Sequence, residues 1–279
     1  MGSGDTEGGD MGSGDTEGGD MGSGDMEGGD MGSGDMEGGD MGMSTVRLTE
    51  ITYYPVKGCA GTSLTEATLT STGLPHDRAY AIADEKGELR WQWGDPRMAL
   101  ISPESSDGEV TLRAPGRDPV RADSPNVHAW LTEFLGVPST LVPSPAGNAH
   151  RLHVVSRASL DALNRRLAAR GAAPLPMNRF RPNLVVDGWD DPHTEDRAAR
   201  LAVAGTELAF TEDTIRCAIT MVDQRTGRRA GPEPLRTLGD YRRADAGGIA
   251  FGAYFQVRRP GRIAVGDEVA VRSGPAVGP

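Results

Sequence analysis

The chain has 279 residues and a formal net charge of −11, but the charge is concentrated at one end. Residues 1–40 are four near-identical decapeptides, each with three acidic residues and no basic one, so the rest of the chain carries about +1. A near-neutral body gives no support for a nucleic-acid partner, and no apolar run reaches the ~20 residues that a membrane span requires.

The acidic repeats contain no aromatic and no branched aliphatic residue. Such a segment cannot bury enough apolar surface to offset the entropy lost on ordering, so we expect residues 1–43 to be a disordered tail. The two cysteines, Cys59 and Cys217, do not form a disulfide framework, and no secretory signal is visible. These features predict a cytoplasmic protein that does not enter the membrane.

Short strand-like runs separated by turn residues begin at Val46. Tyr80–Ala83 and 89–93 flank a turn-rich tetrapeptide and predict a β-hairpin. Ser124-Pro125 predicts the start of a helix that ends before Gly136, with apolar residues on one face. Further strands are predicted at residues 46–48, 67–70, 110–113 and 120–122.

The Pro- and Gly-rich stretch 137–148 is the best candidate for a domain boundary. We therefore expect one β domain over residues 44–146 and a second over 147–274, with a frayed end at 275–279. In the second part, Ser156 can cap a helix with Leu160, Leu163 and Leu167 on one face. A short helix is predicted within 234–241, and strands are predicted at 183–186, 200–204, 207–210, 217–222, 251–258 and 263–272.

The short, regular strands predict a mainly β fold, a barrel or a sandwich. The sequence contains none of the glycine-rich phosphate loops of nucleotide-binding proteins and no nucleophile elbow of serine hydrolases. No CxxC is present, and no histidine pair has the usual zinc-ligand spacing beside a cysteine, so a structural zinc site is not expected.

Three basic segments remain as candidates for chemistry. Arg216 directly precedes Cys217, and a neighbouring guanidinium favours the thiolate, the form that acts as a nucleophile or metal ligand. Residues 179–183 place two arginines and an asparagine before a strand, which suits phosphate or a polar heterocycle. Residues 54–61 form a glycine-containing loop with Lys57, where backbone N–H groups can approach an anion. A buried inert cysteine and solvated loops are the alternative interpretations.

Together these segments resemble the MOSC family, which includes the mitochondrial amidoxime-reducing component and its bacterial relatives. The resemblance covers about residues 46–272. It depends on YPVKGCAG (54–61), GLPHDRAYAI (73–82), DPRMALI (95–101), VVSRASLDALNRRL (154–167), RFRPNLVVDG (179–188), RCAITMVDQRTG (216–227), EPLRTLGDYRR (233–243) and FGAYFQV (251–257). It implies a MOSC N-terminal β domain followed by a MOSC β-barrel domain, with the molybdenum cofactor (molybdopterin) bound between them.

The resemblance also implies roles for individual residues. Cys217 would be the thiolate ligand to molybdenum, and the positive end of the helix after Ser156 would face the cofactor's phosphate. The residues expected to hold the cofactor are Lys57, Gly58, Arg78, Ser156, Arg181, Asn183 and Arg216. Gly58 departs from the family, since amidoxime-reducing enzymes carry a serine there, and Arg197 stands where relatives usually place a tryptophan. Cys59 is expected to be structural, and Asp213 and Tyr254 are candidate general acids.

The activity implied is the two-electron reduction of small N-oxygenated compounds. An external flavin or iron–sulfur reductase would supply the electrons, because the two cysteines cannot hold an iron–sulfur cluster. Two other functions stay open. Cys217 could carry sulfur as a persulfide, since MOSC domains also occur in molybdenum cofactor sulfurases, or the protein could be a non-catalytic cofactor carrier.

Overall fold

The computed structural model of the protein describes residues 45–106, 108–144, 151–245 and 247–272. The predicted tail (1–43), the predicted boundary at 146/147 and the predicted frayed end (275–279) lie outside these ranges. The prediction of a mainly β fold is confirmed, since residues in strands far outnumber residues in helices within the described ranges. No helix among these residues has the length and apolar character needed to span a membrane.

The largest sheet has eight strands, and all but one of its neighbouring pairs are antiparallel. In spatial order the strands are β17 (Val269–Arg272), β11 (Arg200–Val203), β12 (Thr206–Ile215), β15 (Ala250–Arg259), β9 (Leu152–Ser156), β10 (Leu184–Asp187), β1 (Arg47–Tyr53) and β2 (Thr62–Leu64).

Four smaller sheets complete the strand pairing of the described residues. They are β4 (Tyr80–Ala83) with β8 (Thr140–Pro143), β5 (Ser102–Ser106) with β6 (Glu109–Ala114) and β7 (Arg117–Arg121), β3 (Glu66–Leu69) with β16 (Gly261–Ala264), and β13 (Val222–Asp223) with β14 (Arg228–Arg229). The α-helices are α1 (Val127–Leu135), α2 (Arg157–Ala168), α3 (Thr194–Arg197) and α4 (Leu235–Leu238).

The parallel pair β9–β10 is connected through α2, as parallel strands require a crossover. Every residue of β9 is buried because both faces of the strand are covered. Val154 belongs to the core within the large sheet, whereas Val155 packs with Leu160 and Leu163 of α2. The predicted cap is confirmed, since Ser156 Oγ accepts a hydrogen bond from the Ser159 N–H at 3.1 Å.

The first strand of the described residues lies inside this large sheet. β1 pairs with β10 on one side and with β2 on the other. Its start also meets the segment before β17, where the Leu48 N–H donates to Asp267 O at 2.8 Å and the Val269 N–H donates to Val46 O at 2.9 Å. These bonds bring opposite ends of the sheet together, although the strand pairs of the described residues do not form a closed barrel.

The predicted hairpin of Tyr80–Ala83 with 89–93 is confirmed only at its turn. The chain reverses there, since the Asp84 N–H donates to Glu88 O at 2.9 Å and the Arg90 N–H donates to Ile82 O at 2.8 Å, but a single bridge joins Ala83 to Leu89, and the strand partner of β4 is β8. Residues 92–94 form a turn, in which Gln92 is buried and its Nε2 donates to Gly58 O at 3.0 Å.

One prediction near Cys217 is wrong. Residues 217–222 do not form a strand, because a 3-10 turn occupies Ala218–Met221, whereas β12 extends beyond the predicted strand 207–210 as far as Ile215. The predicted strand 263–272 is divided into β16 and β17. The helices are confirmed at α1, which ends at Gly136 with φ of 78°, and at α2, whereas the third helix is limited to α4.

Candidate functional site

A cavity of about 190 Å³ lies beside Cys217, and loops and strand ends from both halves of the chain line it. Six of the eight residues predicted to bind the cofactor or metal belong to its lining: Lys57, Gly58, Arg78, Arg181, Arg216 and Cys217. His153, Phe180, Ile215, Ile219 and Tyr254 complete it. Segments more than 100 residues apart in the chain therefore contribute to one polar cavity.

Two arginines of the cavity enclose the ring of Tyr54. The guanidinium carbon lies 4.7 Å from the ring centroid in Arg78 and 4.4 Å in Arg181. Both arginines have a left-handed backbone, with φ of 54° and 58°. Non-glycine residues adopt this conformation only where surrounding contacts enforce it, and such positions are concentrated at functional sites. Arg181 Nη1 also donates to Cys59 O at 2.5 Å.

Arg78 is held by an acid and an amide behind the cavity. Its guanidinium forms an ion pair with Asp77 and donates to Asn183 Oδ1 at 3.2 Å. Asn183 is only 1% exposed, and its Nδ2 donates to Asp77 Oδ2 and to Thr52 O. Asn183 does not line the cavity, so the structure gives it the role of bracing Arg78.

Ser156 lies outside the cavity lining as well. At the start of α2 the Glu195 carboxylate accepts from the Ser156 N–H at 3.1 Å and from Ser159 Oγ at 2.7 Å. An anion of the protein itself thus already occupies this helix start, which is the location expected for the cofactor's phosphate. The expectation that Ser156 completes the pocket is not met in this structure.

Arg216 presents its side chain to the cavity directly before Cys217. Its Nη2 donates to Phe180 O at 2.7 Å, and its Nη1 lies 3.4 Å from Nε2 of His153. Cys217 is exposed and precedes the 3-10 turn, in which the Thr220 N–H donates to Cys217 O at 3.2 Å. A free thiol therefore lies at the edge of a cavity that has buried guanidinium groups in its wall.

The burial of these groups changes their proton affinities. Burial lowers the pKa of both Arg181 and Arg216. Burial, and then the charge of Arg216, hold the pKa of His153 well below its usual value, so this imidazole is neutral. Burial also opposes the charge of Arg78, but Asp77 outweighs that effect and the pKa of Arg78 is raised.

Two buried nitrogen atoms of the cavity have no hydrogen-bond partner among the described residues, namely Arg181 Nη2 and Arg216 Nε. An unpaired buried donor costs about 1–3 kcal/mol, and more when the group is charged. An anion in the cavity would remove this cost. Within the described ranges, no group of three or more His, Cys, Asp or Glu side chains could hold a metal ion.

Several of these residues could not be found from the sequence. His153, Phe180, Ile215 and Ile219 had no predicted role, because single residues within strands and turns carry no spacing signal. Tyr254, a candidate general acid, lines the cavity, whereas the other candidate, Asp213, does not.

The remaining expectations concern three residues. Cys59 is fully buried, and burial raises the pKa of its thiol to about 12, which agrees with a structural role. Arg197, which stands where relatives usually place a tryptophan, is exposed and does not line the cavity. Gly58 has a φ of 81°, and a Cβ there would lie 2.7 Å from Met98 Cε.

Comparisons with known proteins show the family of the chain. A family model for the MOSC N-terminal β-barrel domain matches residues 45–135, and one for the MOSC domain matches residues 144–270. The chain is 30% identical to mitochondrial amidoxime-reducing component 1 of Homo sapiens, and the match covers 80% of this chain and 82% of that protein. It is 29% identical to the Mus musculus protein of the same name, covering 80% of this chain and 81% of that protein. It is also 28% identical to molybdenum cofactor sulfurase of Danio rerio, where the match covers 76% of this chain but only 32% of the sulfurase.

Proposed function

Because the chain belongs to the MOSC family, we propose that it binds the molybdenum cofactor in the cavity beside Cys217 and uses it to reduce N-hydroxylated compounds. One observation carries the proposal. Six residues expected to hold the cofactor, from four separate segments of the chain, line a single cavity that contains one thiol.

The charges of the cavity support an anionic ligand. Three arginines and one lysine line it, and no acidic side chain belongs to its lining. Buried positive charges are unfavourable unless an opposite charge compensates them. A phosphate dianion can accept bonds from Arg181 Nη2 and Arg216 Nε, the two donors that lack partners in the described part of the chain, and Arg–phosphate bonds of this kind are strong.

The side chains of the cavity that could bind a metal support a metal whose other ligands come from a bound cofactor. Cys217 is the one sulfur ligand of the cavity, and the described residues around it form no cluster that could hold a bare metal ion. The molybdenum cofactor fits these residues because its dithiolene supplies sulfur ligands and Cys217 can add one more.

The reaction needs two electrons and two protons: R–NHOH + 2 e⁻ + 2 H⁺ gives R–NH₂ and water. When bound, the cofactor supplies the oxygen-atom transfer and the two electrons. The protein's residues bind and orient. Arg78, Arg181 and Arg216 hold the phosphate, and Ile215 and Ile219 give the mouth an apolar wall. Tyr254, which lines the cavity, is the candidate donor of a proton to the leaving oxygen.

The likeness to molybdenum cofactor sulfurases supports a second candidate function. In that case Cys217 carries sulfur as a persulfide, which an exposed thiol beside an arginine would also permit. Intact-mass measurement of protein purified without reductant separates the two. The sulfur carrier gains the mass of one sulfur atom on Cys217, whereas the reductase carries molybdenum without that gain.

The central test uses protein produced in a host that makes the cofactor. We expect about one molybdenum and one pterin per wild-type chain, and turnover of benzamidoxime to benzamidine with reduced methyl viologen as electron donor. Cys217→Ala should lose the metal and the activity while keeping the melting temperature of cofactor-free wild type, because the side chain is exposed. Cys59→Ala, which removes the other cysteine of the chain, is the control and should keep its molybdenum. Equal metal content in wild type and Cys217→Ala would contradict the proposal.

A further inference from the structure

We propose that two loops next to the cavity form a docking surface for an acidic electron-carrier protein, an inference that rests on the proposed reductase function. We call this surface the basic face. It consists of Trp91, Trp93, Arg97, Arg225, Arg228 and Arg229, which belong to the loop before the turn at Pro96–Leu100, to that turn and to the β13–β14 hairpin.

Direct contacts hold the parts of the basic face together. Arg229 donates to Trp93 O from Nε at 3.0 Å and from Nη2 at 2.7 Å. The side-chain amides of Gln92 and Gln224 donate to each other, at 3.0 and 2.9 Å. The hairpin also fits closely against the turn, because a Cβ on Gly227 would lie 2.8 Å from Leu100 Cγ. The surface is therefore preorganised, which lowers the entropy lost on binding.

The four arginines of the basic face are exposed. None of them takes part in an ion pair within the described ranges, whereas many other exposed arginines, such as Arg121 and Arg262, are paired with carboxylates. The hairpin's own acid, Asp223, is engaged by Thr226 and Arg179. The positive charge of this surface is therefore free to attract an acidic partner.

Trp91 adds a binding anchor to this charge. It is 49% exposed, one of few large apolar side chains with such exposure in the described part of the chain. Tryptophan and arginine are the residue types that contribute most to binding energy at protein interfaces. An exposed tryptophan next to unpaired arginines indicates a protein partner rather than a solvated loop.

The basic face is connected to the cavity. Gln92, between the two tryptophans, donates to the carbonyl of Gly58, which lines the cavity, at 3.0 Å. β13 begins directly after the 3-10 turn that follows Cys217. A carrier bound to the basic face therefore contacts the hairpin that follows Cys217 and the turn after it. Electrons must reach this part of the protein if Cys217 binds the metal.

Charge complementarity selects the occupant. The reaction consumes two electrons per turnover, and small acidic carriers can deliver them one at a time. Complementary charge raises the rate of encounter and makes it sensitive to salt. The partner is accordingly an acidic flavin or iron–sulfur electron carrier.

The test measures benzamidoxime reduction by the molybdenum-loaded protein with three donors. Two are acidic carriers, a reduced plant-type [2Fe–2S] ferredoxin and a reduced flavodoxin, and the third is methyl viologen, a small cation. We expect Arg225→Glu/Arg228→Glu to raise the KM for at least one carrier about tenfold and to remove most of its salt dependence. Trp91→Ala should raise the KM with the salt dependence kept. Turnover with viologen should stay at the wild-type rate in all variants.

The matched control is Arg258→Glu/Arg272→Glu, an equal charge change at exposed arginines of β15 and β17. An equal effect of this control, or no effect of the hairpin variant, overturns the docking surface. So does the absence of salt-dependent reduction by both carriers, or tighter binding of a single-stranded oligonucleotide than of either carrier. If viologen gives no turnover of wild type, the proposed function fails instead. Calorimetric binding of the carriers to wild type and variants then still decides whether the docking surface exists.

Discussion

The ion pair of Asp77 and Arg78 allows a quantitative test of how the site is built. The side chains are 8% and 13% exposed, so both charges are largely removed from water. Asp77 also accepts from the Tyr54 N–H at 2.8 Å and from Asn183 Nδ2 at 3.2 Å. Asp77→Asn keeps the size of the side chain but leaves the buried guanidinium without its counter-charge.

We expect Asp77→Asn to destabilise the cofactor-free protein by about 3 kcal/mol, since breaking a buried ion pair on one side costs ~3–5 kcal/mol and the amide can retain part of the hydrogen bonding. The measurement is urea unfolding of wild type and variant, with the slope m unchanged and the midpoint lowered. The control is Glu104→Gln, which breaks the exposed pair with Arg113 and should change stability by less than about 1 kcal/mol.

The same substitution can also be measured in the cofactor-loaded protein. If a phosphate lies beside Arg78, it supplies negative charge in place of Asp77, and the loaded protein should lose less stability than the cofactor-free protein. A loss below about 1 kcal/mol in the cofactor-free protein, similar to the control, would refute the claim that Asp77 neutralises a buried charge.

Three further substitutions test separate features. Gly58→Ala introduces a Cβ 2.7 Å from Met98 Cε at a φ of 81°, so thermal unfolding should show a loss of about 1–3 kcal/mol, and full stability would contradict the strain. Glu195→Ala leaves the buried Ser156 N–H without its acceptor and removes one of the two acceptors within reach of Ser159 Oγ. Urea unfolding should therefore show a loss of about 1–3 kcal/mol, most of it restored in Glu195→Gln. Burial, followed by the charge of Glu195, raises the pKa of Asp196 from 3.8 to about 7. The folded state therefore keeps this proton up to about pH 7 while the unfolded state loses it near pH 4, and the contribution of Asp196 to stability falls as the pH rises between these values. Asp196→Asn should thus gain stability relative to wild type between pH 4 and 7 in denaturation at fixed temperature, and a constant difference would be inconsistent with the raised pKa.

The local elements of the fold could be predicted where the signal is contained in neighbouring residues. The helix α2 follows from a capping serine and leucines at helical spacing, and α1 follows from Ser124-Pro125 and Gly136. Strand pairing could not be predicted in the same way. β4 pairs as a strand with β8, and only a single bridge joins it to the segment after its turn, where the Gln92 side chain contacts Gly58, more than 30 residues earlier.

The candidate site shows the same limit. The residues named from family motifs lie together, apart from Ser156 and Asn183, which the structure uses for a helix cap and for bracing Arg78. Nothing in the sequence indicates that Glu195, distant in the chain, occupies the helix start at Ser156. The neutral His153 was missed for a similar reason, since its neighbour Arg216 is 63 residues away.

The position of β1 between β10 and β2 sets the order in which this protein can mature. β1 is synthesised well before Leu184–Asp187 and gains this antiparallel neighbour only once that segment has been made, so the pairing forms late and joins residues far apart in the chain. A nascent chain truncated near residue 146 would present unpaired strand edges, which are prone to aggregate. The cavity beside Cys217, whose lining extends to Tyr254, can accordingly form only after most of the chain has been made, and each half expressed alone should be insoluble.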